Sequence, residues 1–200
     1  MDDRTVTAWS IEDAQRYGAD VLTGARVRFR GLRESDLEQL IRWRSNPALD
    51  VLQSSSIDPP AEQQVREHLR SHASGPATRN RRGFAVETLE APSRLIGFVT
   101  LSDIEPQHRS AGFAIALDPD SGGHGYGVDA ARTMVRYGFR EVGLRRVWLH
   151  VWAYNERAIR TYRKAGFVEE GRLRDAVFHD GRWHDQLVMS AIATDPGWLD

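Results

Sequence analysis

Residues 118–138, DPDSGGHGYGVDAARTMVRYG, restrict the possible folds more than any other stretch of the chain. The apolar run at residues 111–117 stops at Asp118-Pro119, a loop with Gly122, Gly123, Gly125 and Gly127 follows, and apolar residues then recur at helical spacing. Strand, glycine loop and helix in that order suit an anion. Glycine tolerates positive φ and lets a ligand approach backbone that carries no Cβ, while the first turn of a helix offers unpaired N–H groups and a partial positive charge. On residues alone the segment reads as a nucleotide cradle, a linker or an ordinary tight turn. Two specific nucleotide motifs fail. A P-loop has Gly-Lys-Ser/Thr at the helix start, where this chain has Gly127-Val128-Asp129. A dinucleotide fingerprint belongs to the first βαβ unit, with an acidic residue closing the next strand; here the loop lies past mid-chain and the next strand ends in Trp152-Ala153.

That next strand shows Val147, Leu149 and Val151 alternating with Trp148, His150 and Trp152, the period of a strand covered on both faces. Because it follows a helix that follows a strand, a parallel βαβ crossover is predicted. Residues 155–165 read as a helix with Asn155 near the N-cap and Gly166 at the stop. Upstream, Val27, Phe29 and Leu32 predict a strand; Ser35 caps a helix with Leu37, Leu40 and Ile41 on its apolar face; Asn46-Pro47 ends it. Residues 61–72 predict a second helix. Hairpins are expected from strands 84–89 and 95–101 around Glu90-Ala91-Pro92-Ser93, and from 172–178 and 183–192 around Asp180-Gly181. Residues 1–24 are expected as an arm with one short amphipathic helix, 25–193 as a single domain and 194–200 as a tail.

Composition narrows the chemistry. Two hundred residues with 40% hydrophobic content can bury one substantial core. A net charge of −1 gives no global field to recruit nucleic acid or an anionic membrane, and neither is expected as a partner. The absence of cysteine excludes disulfides, thiolate metal sites and a cysteine acyl-enzyme. The 111–117 run is far short of a bilayer span and residues 1–25 lack a signal-peptide core, so a cytoplasmic protein is expected. Arg79, Arg81 and Arg82 form a short basic cluster that suits either phosphate contact or a solvated face.

Taken together, the glycine loop, the strand after it and the run NERAIRTYRKAGF at residues 155–167 resemble the GNAT superfamily of N-acetyltransferases. In that family the loop R/Q-x-x-G-x-G/A holds the coenzyme A pyrophosphate, and it aligns here with Gly122-Gly123-His124-Gly125-Tyr126-Gly127. The usual first Arg or Gln is Gly122, which removes one side-chain contact. Residues 26–36, 43–47 and 170–185 resemble the Rim-type branch, whose acceptors are protein N-termini, polyamines and small amines. The resemblance covers residues 22–192. It implies an α/β (α+β) fold: a mixed, strongly twisted, mostly antiparallel sheet with flanking helices and a V-shaped splay between the strand ending near Leu117 and strand 147–151. It also implies acetyl-CoA as co-substrate, no metal, and coenzyme contacts at Leu117, Gly122, Gly123, His124, Gly125, Tyr126, Gly127, Val128, Asn155, Ala158 and Tyr162.

Acetyl transfer from a thioester needs a neutral amine, support for the oxyanion, and a proton for the departing thiolate. Tyr162 matches the family's acid in the pattern N-x-x-A-x-x-x-Y; its other reading is a helix-face core aromatic. Asn155 reads both as N-cap and as coenzyme contact. For the base, Asp103 and Glu105 just after strand 95–101 are candidates, with Glu87 beside them; the family position that is often Glu is Gly112. His108, His150, His179 and His184 titrate in a useful range for proton relay, yet lone histidines read first as structural. His179, His184 and Asp185 lack metal-ligand spacing, and Asp185 is expected to shape the hairpin or the acceptor pocket. Asp103, Glu105, Asp175 and Asp185 would suit a cationic acceptor: a peptide N-terminus, a polyamine or a small amine. The expected function is direct acetyl transfer to a primary amine, with homodimerisation through the C-terminal hairpin. Gly112 and Gly122 keep open a non-catalytic acyl-CoA-binding sensor.

Overall fold

The computed structural model describes residues 9–58, 60–73 and 80–198. Its strands are β1 (Val27–Arg30), β2 (Arg82–Thr88), β3 (Leu95–Glu105), β4 (Ser110–Leu117), β5 (Arg146–Trp152), β6 (Val168–His179) and β7 (Arg182–Ile192). They form one seven-stranded sheet in the order β1-β2-β3-β4-β5-β7-β6. Neighbours are antiparallel except β4 and β5, which run parallel as the crossover requires. The helices are α1 (Ile11–Asp20), α2 (Leu37–Arg44), α3 (Pro47–Asp50), α4 (Glu62–Ala73), α5 (Tyr126–Arg140) and α6 (Glu156–Ala165). This is the mixed, mostly antiparallel sheet with flanking helices that the sequence leads one to expect.

α5 crosses between the parallel strands because Tyr126, Ala130, Met134 and Gly138 recur at helical spacing and are all buried. Small residues set how close it sits. A Cβ on Gly138 would lie 3.1 Å from Leu101 Cδ1 and 3.2 Å from Leu144 Cδ1, so glycine lets the helix settle against the sheet. Together with α6 it covers one face and closes the main core, which includes Val99, Leu101, Phe113, Val147, Leu149, Ile159 and Met189. The opposite face carries α2 and α4 over a smaller cluster, Leu37, Leu40, Ile41, Val65 and Leu69.

Some boundaries differ from the sequence reading, each for a local reason. β1 ends at Arg30, before Leu32. Asn46-Pro47 stops α2 but also starts α3: Asn46 Oδ1 accepts from Ala48 N at 3.0 Å and Pro47 fills the first helical position, where a missing N–H costs nothing. β3 continues past Leu101 to Glu105 through a bulge in which Asp103 adopts φ 51°. The described segments at either end, through Tyr17 and Trp198, are attached to the domain. Tyr17 donates to Glu141 at 2.7 Å, and Arg140 lies over the Tyr17 ring. Trp198 is buried edge-on against Phe139 and Phe167, at ring separations of 5.9 and 6.3 Å. Arg79 lies outside the described residues. Among those described, no helix is long and apolar enough to cross a membrane.

Candidate active site

β4 and β5 pair only through Ser110↔Arg146, Ala111↔Val147 and Gly112↔Trp148. Beyond that, β4 continues to Leu117 on β3 alone and β5 continues to Trp152 on β7 alone. The facing edges therefore splay into a V with unpaired backbone groups on both sides. Gly112 marks its apex, and the structure explains the glycine. A Cβ there would lie 3.2 Å from Trp148 Cη2 and Cζ2, so the indole occupies the space from which a side chain at this position would grow.

The open end of the V meets the glycine loop. A short turn at Pro119–Ser121 is capped by Asp118, whose carboxylate accepts from Asp120 N at 3.1 Å. Gly123 and Gly125 then take φ of +85° and +79°, a conformation that a side chain strongly disfavours. Gly125 is the N-cap of α5 and supplies no side-chain acceptor, which leaves first-turn N–H groups of this long helix available to an anion. The expected contacts are not equivalent. Gly122, Gly123, His124 and Gly125 reach the surface in varying degree, but Tyr126 is 1% exposed and points into the core, with His124 stacked on it at 5.4 Å. Only the backbone of Tyr126 can face a ligand. Gly127 is a packing glycine: a Cβ would sit 3.2 Å from Thr161 Cγ2 and 3.5 Å from Leu117 Cδ1, where α5, α6 and β4 converge. Val128 and Leu117 pack partly against the core.

α6 brings Tyr162 to the apex of the V. Its ring meets Phe113 edge-on at 6.0 Å and Phe167 at 5.9 Å, and Phe113 is the first residue of β4 beyond the last β4–β5 pair. Burial among apolar groups pushes the Tyr162 phenol up to about 12. Ala158, one turn earlier, packs against the same core. Asn155 is engaged at both ends of its amide. Oδ1 accepts from Ala158 N at 3.1 Å, the N-cap role, and Nδ2 donates to Leu52 O at 3.4 Å. Tyr154 O–H donates to Val51 O at 2.6 Å, so the start of α6 straps down the segment after α3.

Under α2 and α4 lies a cavity of about 260 Å³ lined by Asp50, Arg81, Phe98, Thr100, Ser102 and the β4 run 114–117, so it reaches the same β4 edge that borders the V. Neither Asp50 nor the cavity-lining His68 stands out in the sequence, because the Asn46-Pro47 pair that opens the short helix carrying Asp50 reads there as a stop. Asp103 is exposed, and its carboxylate accepts from Ser102 Oγ at 3.1 Å, which brings it to the edge of this cavity. Glu105 is exposed farther out, opposite Ser110, and does not line it. Glu87 is removed as a candidate base: it is 5% exposed, receives hydrogen bonds from Arg28 at 3.0 Å and Ser93 at 3.1 Å, and serves to fix β1 on β2. His179 and His184 pack against Tyr154, while Asp185 accepts from Arg172 and from Asp175 N and holds the β6–β7 bulge. Among the described residues no group of His, Cys, Asp or Glu has metal-binding geometry.

The family model for an acetyltransferase (GNAT) domain matches residues 26–168. The chain belongs to the GNAT family. This GNAT domain is 38% identical over 108 residues to a spermidine N(1)-acetyltransferase of Vibrio cholerae, a match covering 54% of the chain and 61% of that relative. A Bacillus subtilis relative whose name is putative ribosomal N-acetyltransferase YdaF is 29% identical over 98 residues, covering 49% of the chain and 54% of that protein. The Rim-type branch is thus too narrow an assignment; spermidine acetyltransferases stand at least as near. Among solved structures, a V. cholerae spermidine N-acetyltransferase in complex with CoA and spermine superposes with a TM-score of 0.72 at 30% identity, over 83% of this chain and 95% of that one. A GNAT acetyltransferase from Bacillus anthracis, at TM-score 0.73 and 18% identity over 87% of this chain and 99% of that one, shares the fold.

Proposed function

We propose that this GNAT domain moves an acetyl group directly from acetyl-CoA to a primary amine, with polyamines as the acceptor class. The observation that carries the reading is the V between β4 and β5, which opens at one end on the uncapped first turn of α5 and closes at the other on Tyr162. The site fits the donor. The unpaired edge of β4 from Phe113 to Leu117 suits the amides of an extended pantetheine arm, and the positive-φ glycines with the N–H groups behind them suit its diphosphate.

Tyr162 holds the proton for the sulfur. With its pKa at about 12 it stays protonated throughout the working range. A thiol near 8.5 is the stronger acid, so full transfer is uphill, and the phenol supports the departing thiolate first by a hydrogen bond and passes the proton as charge builds. As the N–C bond forms and the C–S bond breaks, the amine must lose a proton; in this reading Asp103 takes it through a water or through Ser102 Oγ, which lines the cavity and donates to its carboxylate at 3.1 Å. The products are an amide and the free thiol. An alkyl amine with a pKa near 10.4 is mostly protonated at neutral pH, so the rate should rise with pH until the amine is neutral, with no alkaline fall from Tyr162 in that range.

Support for the polyamine class comes from the spermidine-acetylating relatives; in the cavity Asp50 stands with Arg44 and Arg81, so the lining itself does not select a cation. The same reading includes a homodimer through β6 and β7, whose outer surface leaves Leu173, Phe178 and Trp183 exposed. Calorimetry with acetyl-CoA, followed by an amine panel with thiol detection, tests the proposal. Saturable binding with thiol release on spermidine or spermine is expected. Turnover on peptide N-termini alone would replace the acceptor class, binding without any turnover would leave the sensor, and no binding would sink the whole reading. Sedimentation at micromolar concentration that returns a monomer would remove the dimer.

A further inference from the structure

Gly122 stands where the family's phosphate loop carries Arg or Gln, and another part of the chain fills the vacated space. A Cβ built on Gly122 would lie 2.7 Å from Nη2 and 3.2 Å from Cζ of Arg157. Arg157 belongs to the first turn of α6, where a cation opposes the helix dipole. Its neighbour Arg160 pairs with Glu156 at 3.0 Å, but Arg157 has no carboxylate partner among the described residues. An unpaired guanidinium set against its own helix dipole, directly over the glycine loop, is a position that an arriving anion would stabilise.

Arg26 approaches the same loop from a different element. Asp129, in the first turn of α5, accepts the backbone N–H groups of Ala25, Arg26 and Val27 at 3.0, 2.7 and 3.0 Å, which fixes this segment to the helix start. The Arg26 side chain then passes 3.4 Å from the place a Cβ on Gly125 would take, and it too lacks a carboxylate partner among the described residues. Two guanidinium groups without a carboxylate partner among the described residues thus border the loop, Arg157 in space that a side chain on Gly122 would take and Arg26 in van der Waals reach of Gly125.

We infer that Arg157 and Arg26 form a two-sided clamp for the diphosphate of the coenzyme, Arg157 supplying from α6 the side-chain contact that Gly122 removed from the loop. The inference rests on the acetyl-CoA reading and adds how the phosphates are gripped. Guanidinium suits the task through its planar fork and permanent charge.

The test uses the full chain, titrated with CoA by calorimetry and with S-acetylpantetheine, which lacks the diphosphate, by ligand-observed NMR. Arg157→Ala should weaken CoA binding by about 10–100-fold, the range for losing a charged hydrogen bond, and Arg26→Ala by up to about 10-fold. S-acetylpantetheine should bind each variant as it binds wild type. Gly122→Gln in the Arg157→Ala background should regain most of the lost affinity, since it returns a donor to the loop where the arginine no longer intrudes. Unchanged CoA affinity in Arg157→Ala, with wild type still binding, would overturn the clamp and leave the acetyl-CoA reading intact. A parallel loss for S-acetylpantetheine would overturn it as well, because the effect would not then concern phosphate. A Gly122→Gln that restores nothing would overturn the replacement, and a wild type that binds neither ligand would remove clamp and reading together.

Discussion

On one face of the sheet, α5 and α6 bury a cluster that reaches from Val27 in β1 to Trp198 near the end of the chain, while on the other, α2 and α4 meet the strands through Leu37, Leu40, Ile41, Val65 and Leu69 and leave the 260 Å³ cavity between. The first face carries the glycine loop and Tyr162, the groups assigned to the donor. The second carries Asp50, Ser102 and the edge occupied by Asp103, the groups assigned to the acceptor. A donor site that always meets the same molecule can be set into the main core, where close packing holds each backbone group in place. In the proposed assignment the amine enters under a satellite cluster, which can shift at less cost than the main core.

The comparison breaks first at Tyr162. If the donor face is catalytic and not merely packed, Tyr162→Phe should lower kcat by about 10²–10⁴-fold while the Kd for acetyl-CoA stays within error; steady-state kinetics and calorimetry on the folded variant decide it, and a wild-type rate would return Tyr162 to the core. Next come the two clusters themselves. Leu101→Ala, at a fully buried position of the main core, should cost about 2–5 kcal/mol of unfolding free energy. Leu40→Ala on the acceptor face should fall at or below the lower end, about 2 kcal/mol, and raise the KM of the amine without changing coenzyme affinity. Urea unfolding beside calorimetry reads both, and equal global losses with equal effects on the coenzyme would erase the distinction between the faces.

Gly125→Val sharpens the donor side. At φ +79° a branched side chain is strained by about 1–2 kcal/mol, and it would also meet the Arg26 side chain, so both stability and coenzyme affinity should fall while Leu40→Ala leaves affinity alone. A folded Gly125→Val protein with wild-type affinity would show that the loop is not the cradle. The smallest effect is expected away from both faces. Hydrogen bonds from Arg146 above all, assisted by Ser190 and opposed by partial burial, hold the Glu170 carboxyl at about 2. A depressed carboxyl stabilises the fold above its unfolded pKa of about 4.3, and that contribution disappears as pH falls from there towards 2. Glu170→Gln should therefore cost up to about 1 kcal/mol near pH 6, given the exposure of the pair, and almost nothing near pH 2. Denaturant midpoints at the two pH values would show it; a pH-independent difference would mean the residue acts through packing.

Much of the donor face was legible in the sequence because its signals are local. The run at residues 111–117, four glycines and a helical stripe from Tyr126 to Gly138 appear in one continuous stretch, and Asn155 and Gly166 bracket α6 through caps that depend only on adjacent residues. The acceptor face was less legible. Asn46-Pro47 is a true helix stop and also a helix start, and one dipeptide does not announce both, so α3 and Asp50 were missed. Glu87 looked available as a base until Arg28 and Ser93, from other segments, closed on it. In the sequence Asp103 and Glu105 stand as equivalent residues after a strand, but the bulge that prolongs β3 keeps one at the cavity edge and carries the other away.

By itself the sequence determined the periods: which segments alternate as strands, which recur as helices, where glycine permits positive φ, and that a parallel crossover must follow the glycine loop. These follow from backbone geometry within a few residues. Only the tertiary structure decided the juxtapositions. Trp148 fills the space beside Gly112, Arg157 rests over Gly122, and Tyr162 stands against Phe113 at the apex of the V. Each brings together residues on different elements, so each depends on sheet register, on where β4 and β5 part, and on how closely α5 and α6 settle. Those are properties of the packed whole, fixed by the simultaneous filling of one core, and no window of the chain contains them.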